Sequence, residues 1–514
     1  GALKLGHVQI RSTAIDAAGE KIVITSSGHV TDNNDDSNAN LTAGAVTLNV
    51  TATDNSGAKG IGESGDAIEF ASLASASALI LLDDGGTAAD ATNAFQGVHI
   101  TTDQDLTLQN AIFTASNGNG GTGVVITTNG GTNGGTFTND SLHVNAADKA
   151  LTLSAGELVL DTANSIITTG ALKVEDTNGV ALGLNAGGVD SGNDLSGNEI
   201  LAFKNGASSL EISSTLGAVT LNVDLDLSAG FADGVTIQGA LGIDFDKDLT
   251  ATAITAKAGS GTNYNRNITA VSVADAILTA TTGNITLAGA QISDEDNSNA
   301  LAVIASSGNL LVDSDGAAGV VNITSADALN LTQLDTTGAD AVTITTTTSG
   351  ETTDDITIGA TISSAGTGLL TLTANDDIDI ANALTHAGNI TLTANGAGTK
   401  AGNVYGAAVV TATSSALTLE GDVIALDAAA SAALGVLSAT LNVDAGAAGN
   451  GVVNITSADA IDLRALDTTG SGVVTITTTH SADTGDDITI GATISNAGTG
   501  LLTLTANDDI DIAN

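Results

Sequence analysis

The chain has 514 residues and carries 12 Lys and Arg against 58 Asp and Glu, a formal net charge of −46. Such a surface repels phosphate backbones and anionic lipids, so nucleic acid and membrane surfaces are excluded as partners. Pro, Cys, Met and Trp are all absent, which excludes disulfide staples, thiolate metal sites and a thiol nucleophile.

Hydrophobic residues make up 42% of the chain and mean hydropathy is positive, which argues against the disorder common in acidic, aromatic-poor sequences. No apolar run reaches the ~18 residues that a membrane-spanning helix needs. Without Met, Gly1 is not the expected translation start, and any signal segment is expected to lie outside these residues.

Taken in chain order, short alternations of apolar and polar residues dominate. They include Val46-Thr47-Leu48-Asn49-Val50, Leu151-Thr152-Leu153, Val219-Thr220-Leu221-Asn222-Val223, Ile285-Thr286-Leu287, Val342-Thr343-Ile344-Thr345 and Leu370-Thr371-Leu372-Thr373. Strict alternation is the period-2 signal of a strand with one buried face. Gly-Asn, Asn-Gly, Asp-Asp and Ala-Gly pairs separate the strands, as turns require. The Ala-rich stretch Ala428–Leu434 is the exception, with the composition of a short helix. Residues 1–282 are irregular, yet Gly44–Val50 returns as Gly217–Val223. From 283 to 514 the pattern is regular.

The regular part contains a duplication. Residues 320–382 return as 452–514 at an offset of 132, and 51 of the 63 paired positions are identical without a gap. Self-similarity at a fixed period marks a repeat architecture, in which each unit buries its faces against its neighbours. The expected fold is all-β: a right-handed parallel β-helix (β-solenoid) with coils of roughly 20–27 residues, a 132-residue super-repeat, and one continuous rod. The absence of Pro fits a chain that is nearly all hydrogen-bonded ladder. The second copy stops in mid-pattern, as expected for a segment of something longer or a subunit covered by another copy.

Acidic turns are the candidate binding sites. They contain Asp35, Asp36, Asp190, Asp194, Asp244, Asp246, Asp294, Asp296, Asp376, Asp377, Asp508 and Asp509. Ca²⁺ takes six to eight oxygen ligands, which carboxylates and turn carbonyls supply. Stacked coils place like charges close together, and a bridging cation relieves their repulsion. The alternative is a solvated acidic surface that only attracts counterions.

No catalytic constellation emerges, and the chain is expected not to be an enzyme. A lyase of acidic polymers needs cations, and only Arg11, Arg266 and Arg464 are arginines. Within the duplication Arg464 aligns with Thr332 and His480 with Thr348, and nothing else converges on either. A polysaccharide-active β-helix enzyme is the distant alternative.

The unit Gly388–Ala394 (GNITLTA), with relatives at Gly283–Ala288 and Leu369–Ala374, resembles the repeats of filamentous-haemagglutinin-like exported adhesins. The resemblance covers most of the chain in texture and is close from about Gly283 to Asn514. It implies a parallel β-helix at a bacterial cell surface, acting as an adhesive rod or fibre. The Asn-Pro motif of that family's secretion domain has no counterpart here, since the chain lacks Pro. The expected partners are other copies of the chain, end to end or side by side, and host-cell or matrix glycans. A self-assembling filament, sheath or matrix subunit is the alternative.

Overall fold

In a computed structural model the protein is a β-solenoid of stacked parallel strands. The structure describes residues 3–9, 21–26, 30–33, 39–42, 45–51, 59–62, 67–71, 77–83, 95–102, 106–114, 123–128, 135–139, 144–145, 150–160, 166–185, 194–203, 206–260, 264–270, 276–294, 300–314, 319–347, 354–394, 402–425, 432–446, 450–479, 485–494 and 496–513. The chain divides into two compact units, Gly1–Thr252 and Ala253–Asn514.

Alternation sets the faces. In Val342–Thr346 and Leu370–Ala374 every second residue is buried and those between are half-buried. A parallel ladder keeps identical positions in line from coil to coil, so buried residues stack on buried residues. Val342 pairs with Leu370, Leu370 with Ile390, Ile390 with Leu417, Leu417 with Leu441 and Leu441 with Leu463. The steps along this ladder are 28, 20, 27, 24 and 22 residues. The core is made mainly of Val, Ile, Leu and Ala, and its largest fully buried side chains are Phe137, Phe203, Phe231 and Phe245.

The first unit obeys the same rule with less even coils. Val124 pairs with Leu151 and Leu151 with Leu172, steps of 27 and 21 residues, but Leu172 pairs with Leu210, a step of 38. That long coil contains the helix Gly197–Ala202. Its start is a capping box, in which the Ser196 hydroxyl accepts from Glu199 N–H and the Glu199 carboxylate accepts from Ser196 N–H. The Ser-x-x-Glu spacing is a sequence signal for this helix. The helix composition of Ala428–Leu434 leads elsewhere: Leu434 begins the strand Leu434–Ala445, and Ala428 to Ser431 lie outside the described residues. Among the described residues the first unit also holds an eight-stranded parallel sheet; one path runs Glu157–Leu160, Thr136–Asn139, Leu106–Thr114, Ser77–Asp83, Ala45–Thr51 and Lys21–Ser26.

Close stacking explains the glycine of the Gly-Asn-Ile motif. A Cβ on Gly308 would collide with the Gly283 carbonyl, and one on Gly388 with the Gly368 carbonyl. The backbones of successive coils meet there with no room for a side chain.

The two copies of the duplication fold alike but lie on different ladders. Val342–Thr346 belongs to the ladder that continues through Leu370 to Leu463. Its counterpart, Val474–Thr478, stacks under Val453, in the ladder that runs through Ile356, Ile378, Val404 and Ile424. The 132-residue period is therefore not a whole number of coils, and the repeated sequence turns to a new side of the solenoid.

Candidate functional site

The acidic turns enter the structure as parts of a side-chain ladder. The residue before the first strand position is Asn or Asp in coil after coil, and its side-chain oxygen accepts a main-chain N–H from the following coil. Asn284 Oδ1 accepts from Asn309 N–H at 3.0 Å, Asn389 Oδ1 from Ala416 N–H at 3.0 Å, and Asp422 Oδ1 from Asn450 N–H at 3.2 Å. In the first unit Asp224 Oδ1 accepts from Asp248 N–H at 3.2 Å. The geometry follows from the fold. Strands enter every ~4.8 Å, so an extended Asx side chain just reaches the next amide. Asn309, Asn450 and Asp248 lie just before their strands, where an amide would otherwise need water, whereas Ala416 lies within the strand Val409–Gly421.

The most charged stretch of this ladder is the corner built by Asp354, Asp355, Asp376, Asp377 and Asp379. Asp355 Oδ1 accepts from Asp377 N–H at 3.0 Å. Asp377 Oδ1 accepts from both the main chain and the side-chain amide of Asn403, at 2.6 and 3.0 Å. Asp354 is 2% exposed, and one of its carboxylate oxygens accepts from Asn375 Nδ2 at 3.3 Å. Thr346 Oγ1 donates to the Asp354 carbonyl and accepts from Asn375 N–H.

The electrostatics are strained by like charge. Burial, then the neighbouring carboxylates Asp377 and Asp354, push Asp355 above the usual carboxylate range, against the hydrogen bond from Asp377 N–H. Burial, then Asp377, Asp355 and Asp354, raise Asp376; burial and Asp377 raise Asp379. The Tyr405 phenol, stacked on Asp379 in the ladder, is pushed up to about 12 by burial and by the same aspartates. The corner thus favours protons or cations over bare charge.

The duplication builds the corner twice. Asp487 Oδ1 accepts from Asp509 N–H at 3.0 Å, and Thr478 Oγ1 donates to the Asp486 carbonyl and accepts from Asn507 N–H. Asp508 and Asp509 are exposed, whereas Asp376 and Asp377 are half-buried beneath the next coil.

The other expected ligands are scattered. Asp35, Asp36, Asp190 and Asp296 lie outside the described residues, as does His480, and Asp294 closes the strand Gln291–Asp294. Asp244 sits in the strand Ile243–Phe245 beside Thr220. Asp246 N–H donates to the Leu221 carbonyl, and its Oδ1 is buried without a hydrogen-bond partner. Asp194 lines a shallow depression with Glu157, Glu175, Asp176, Leu158 and Leu195. These carboxylates are engaged within the solenoid: Glu157 accepts from Thr136, Glu175 from Ser154 and Lys173, and Asp176 from Asn178 and Ser214. Among the described residues, no three His, Asp or Glu side chains converge on a common metal position.

Arg464, on which the sequence showed nothing converging, is held in an ion pair. Its Nε donates to Asp462 Oδ2 at 2.7 Å and its Nη1 to the Gly491 carbonyl at 3.2 Å. The first copy has Asn330 and Thr332 at these places, and Asn330 Nδ2 donates to Asn309 Oδ1 at 2.6 Å. Two differences between the copies are thus one exchange: an amide rung for an ion pair. Sequence reasoning missed the Asx ladder because its rungs join residues 22 to 28 positions apart. The repeated Asn/Asp-Ile/Leu/Val dipeptide is the signal that could have revealed it.

No family model, curated protein or solved structure matches the chain.

Proposed function

We propose that the chain is a structural shaft: a non-catalytic β-solenoid that works outside a bacterial cell as a surface rod or fibre of adhesin type. The observation that carries this reading is the Asx ladder. Polar side chains that could have formed a reacting site are used to tie one coil to the next, in both copies of the duplication. Stacked apolar ladders below and Asx rungs at the corners suit a part that resists extension. The resemblance of GNITLTA at Gly388–Ala394 to haemagglutinin-like adhesin repeats supports the surface location. In this reading the acidic corners collect cations, Ca²⁺ among them, which relieve the crowding of Asp355, Asp376 and Asp379.

Immunogold labelling of the source cells tests the proposal. Label on fibres outside the envelope is the expected result. Label confined to the cytoplasm would refute it.

A further inference from the structure

One buried titratable group takes no part in the Asx ladder. His386 ends the short strand Leu384–His386 and is fully buried. It stacks between Ser364 of the coil before and Ala412 of the coil after. Its Nε2 donates to the Gly368 carbonyl at 2.8 Å, which fixes the neutral tautomer with the proton on Nε2. Its Nδ1 is buried and has no hydrogen-bond partner. The hydroxyl of its ladder neighbour Ser364 is engaged elsewhere, with Thr336 Oγ1 at 2.6 Å.

From this geometry we propose that His386 makes its coil an acid-sensitive joint, closed while the ring is neutral and opened when Nδ1 takes a proton. A proton on Nδ1 creates a buried cation whose new N–H has no acceptor, a costly state in an apolar interior. Among the described residues packed against it, no counter-charge is at hand. The coil Leu384–Ala394 carries no other charged residue, and neither does the strand Ile362–Ser364. Asp335, on the strand that contains Thr336, is exposed; Asp340 stacks on Gly368 through its main-chain carbonyl. On the strand Val409–Gly421 the one acid is Glu420, which accepts from Thr393 at 3.1 Å. Asp376, Asp377 and Asp379 belong to the neighbouring corner. Burial holds the ring below the ordinary histidine value, opposed only by the Gly368 carbonyl.

The direction follows from proton linkage. The opened coil holds more protons than the closed one, so the closed state is at full strength above the ordinary histidine pKa of 6.5 and weakens as pH falls below it. Opening would bare the edges of Ile362–Ser364 and of residues 410–412, both partners of this strand. Sheet edges recruit other strands, so the joint also exposes a place for new pairing. The inference does not depend on where the shaft is used.

Amide hydrogen exchange on the full chain at pH 7 and pH 5, corrected for the chemical rate, tests it. Protection of residues 384–394 is expected to fall by up to about tenfold for each pH unit below the ordinary value of 6.5, for as long as the ring of the closed coil stays neutral. His386→Gln keeps a donor for the Gly368 carbonyl and does not titrate, so it should abolish that loss. Equal losses in the parent and H386Q, or no loss in the parent, would overturn the proposal. If H386Q fails to fold, imidazole titration of the parent by NMR decides. One ring titrating below the ordinary range supports the joint, and all six His at or above that range would refute it.

Discussion

The Asp377 carboxylate accepts two hydrogen bonds from Asn403, one from the main-chain N–H at 2.6 Å and one from the side-chain amide at 3.0 Å. These residues are 26 positions apart and one coil apart. The contact continues the rung from Asp355 to Asp377, and Asp487 to Asp509 forms the equivalent rung on another side of the solenoid. A hydrogen bond to a charged acceptor contributes about 1.5–3 kcal/mol. Rungs of this kind repeat along the solenoid, and each of those named fixes the entry of a strand.

Removing the acceptor should therefore loosen one coil entry without unfolding the rest. Asp377→Ala is expected to cost about 1–3 kcal/mol locally, read as faster amide exchange at Asn403 and Val404. Asp377→Asn keeps an acceptor oxygen and sheds a repelled charge, so its cost should be smaller. Equal exchange in D377A and the parent would show that the rung contributes nothing.

The acidic corner has its own pH dependence. Asp355, Asp376 and Asp379 lie above the ordinary 3.8, so the folded state holds more protons than the unfolded. Their contribution is fully present below 3.8 and is lost as pH rises through the raised values. At neutral pH they weaken the fold. Lowering pH from 7 toward the raised values should raise the denaturation midpoint of the corner, and Asp376→Asn with Asp379→Asn should flatten that rise. Exchange of residues 354–358 and 376–380 separates this effect from the opposite one at His386.

Screening gives an independent check on the same charges. Salt or Ca²⁺ at neutral pH should stabilise the corner, Ca²⁺ at far lower concentration if carboxylates from successive coils share it. Calorimetric titration distinguishes the cases. Saturable heat that D376N and D379N remove indicates bound Ca²⁺, whereas a response to ionic strength alone indicates a counterion cloud.

Core and surface positions of one strand should differ sharply. Leu372 is fully buried and Thr373 is half-buried on the outer face. Leu372→Ala should cost about 2–5 kcal/mol through lost burial and the cavity left behind, and Thr373→Ala about 0.5 kcal/mol or less. Urea denaturation with local exchange readout compares the two.

The Arg464–Asp462 pair allows a transplant between copies. Arg464→Thr alone removes the ion pair and leaves Asp462, whose Oδ1 is already buried without a partner. Arg464 is half exposed, so the loss should be about 1 kcal/mol or less. Adding Asp462→Asn restores the Asn–Thr pair of the first copy, with Thr440 opposite it in place of Asn309, and should recover part of the loss by removing the unpaired charge. A double-mutant cycle with no coupling would show that the two changes are unrelated.

Much of the fold was legible in the sequence. Val342-Thr343-Ile344-Thr345 announces a strand with one buried face because its period of 2 survives in the structure. The Gly-Asn-Ile motif announces stacked coils, since only Gly fits where Gly368 and Gly388 meet. Coil-to-coil register was not legible. Steps vary between 20 and 28 residues along the ladder from Val342 to Leu463, and loop length conceals which turn lies over which. For that reason the pairing of Asp377 with Asn403 was not legible either. The helix Gly197–Ala202 escaped notice because six residues are too few for helical periodicity to show, leaving its capping box as the one signal.

The central claim is that the chain is a shaft whose coils are tied one to the next. Single-molecule stretching of the full chain tests it most directly. The residues from Val342 to Leu463 should yield coil by coil, each event releasing 20–28 residues, or about 7–10 nm of extended chain. Asp377→Ala should lower the force of one event only. A single all-or-none extension, or release at negligible force, would contradict the account.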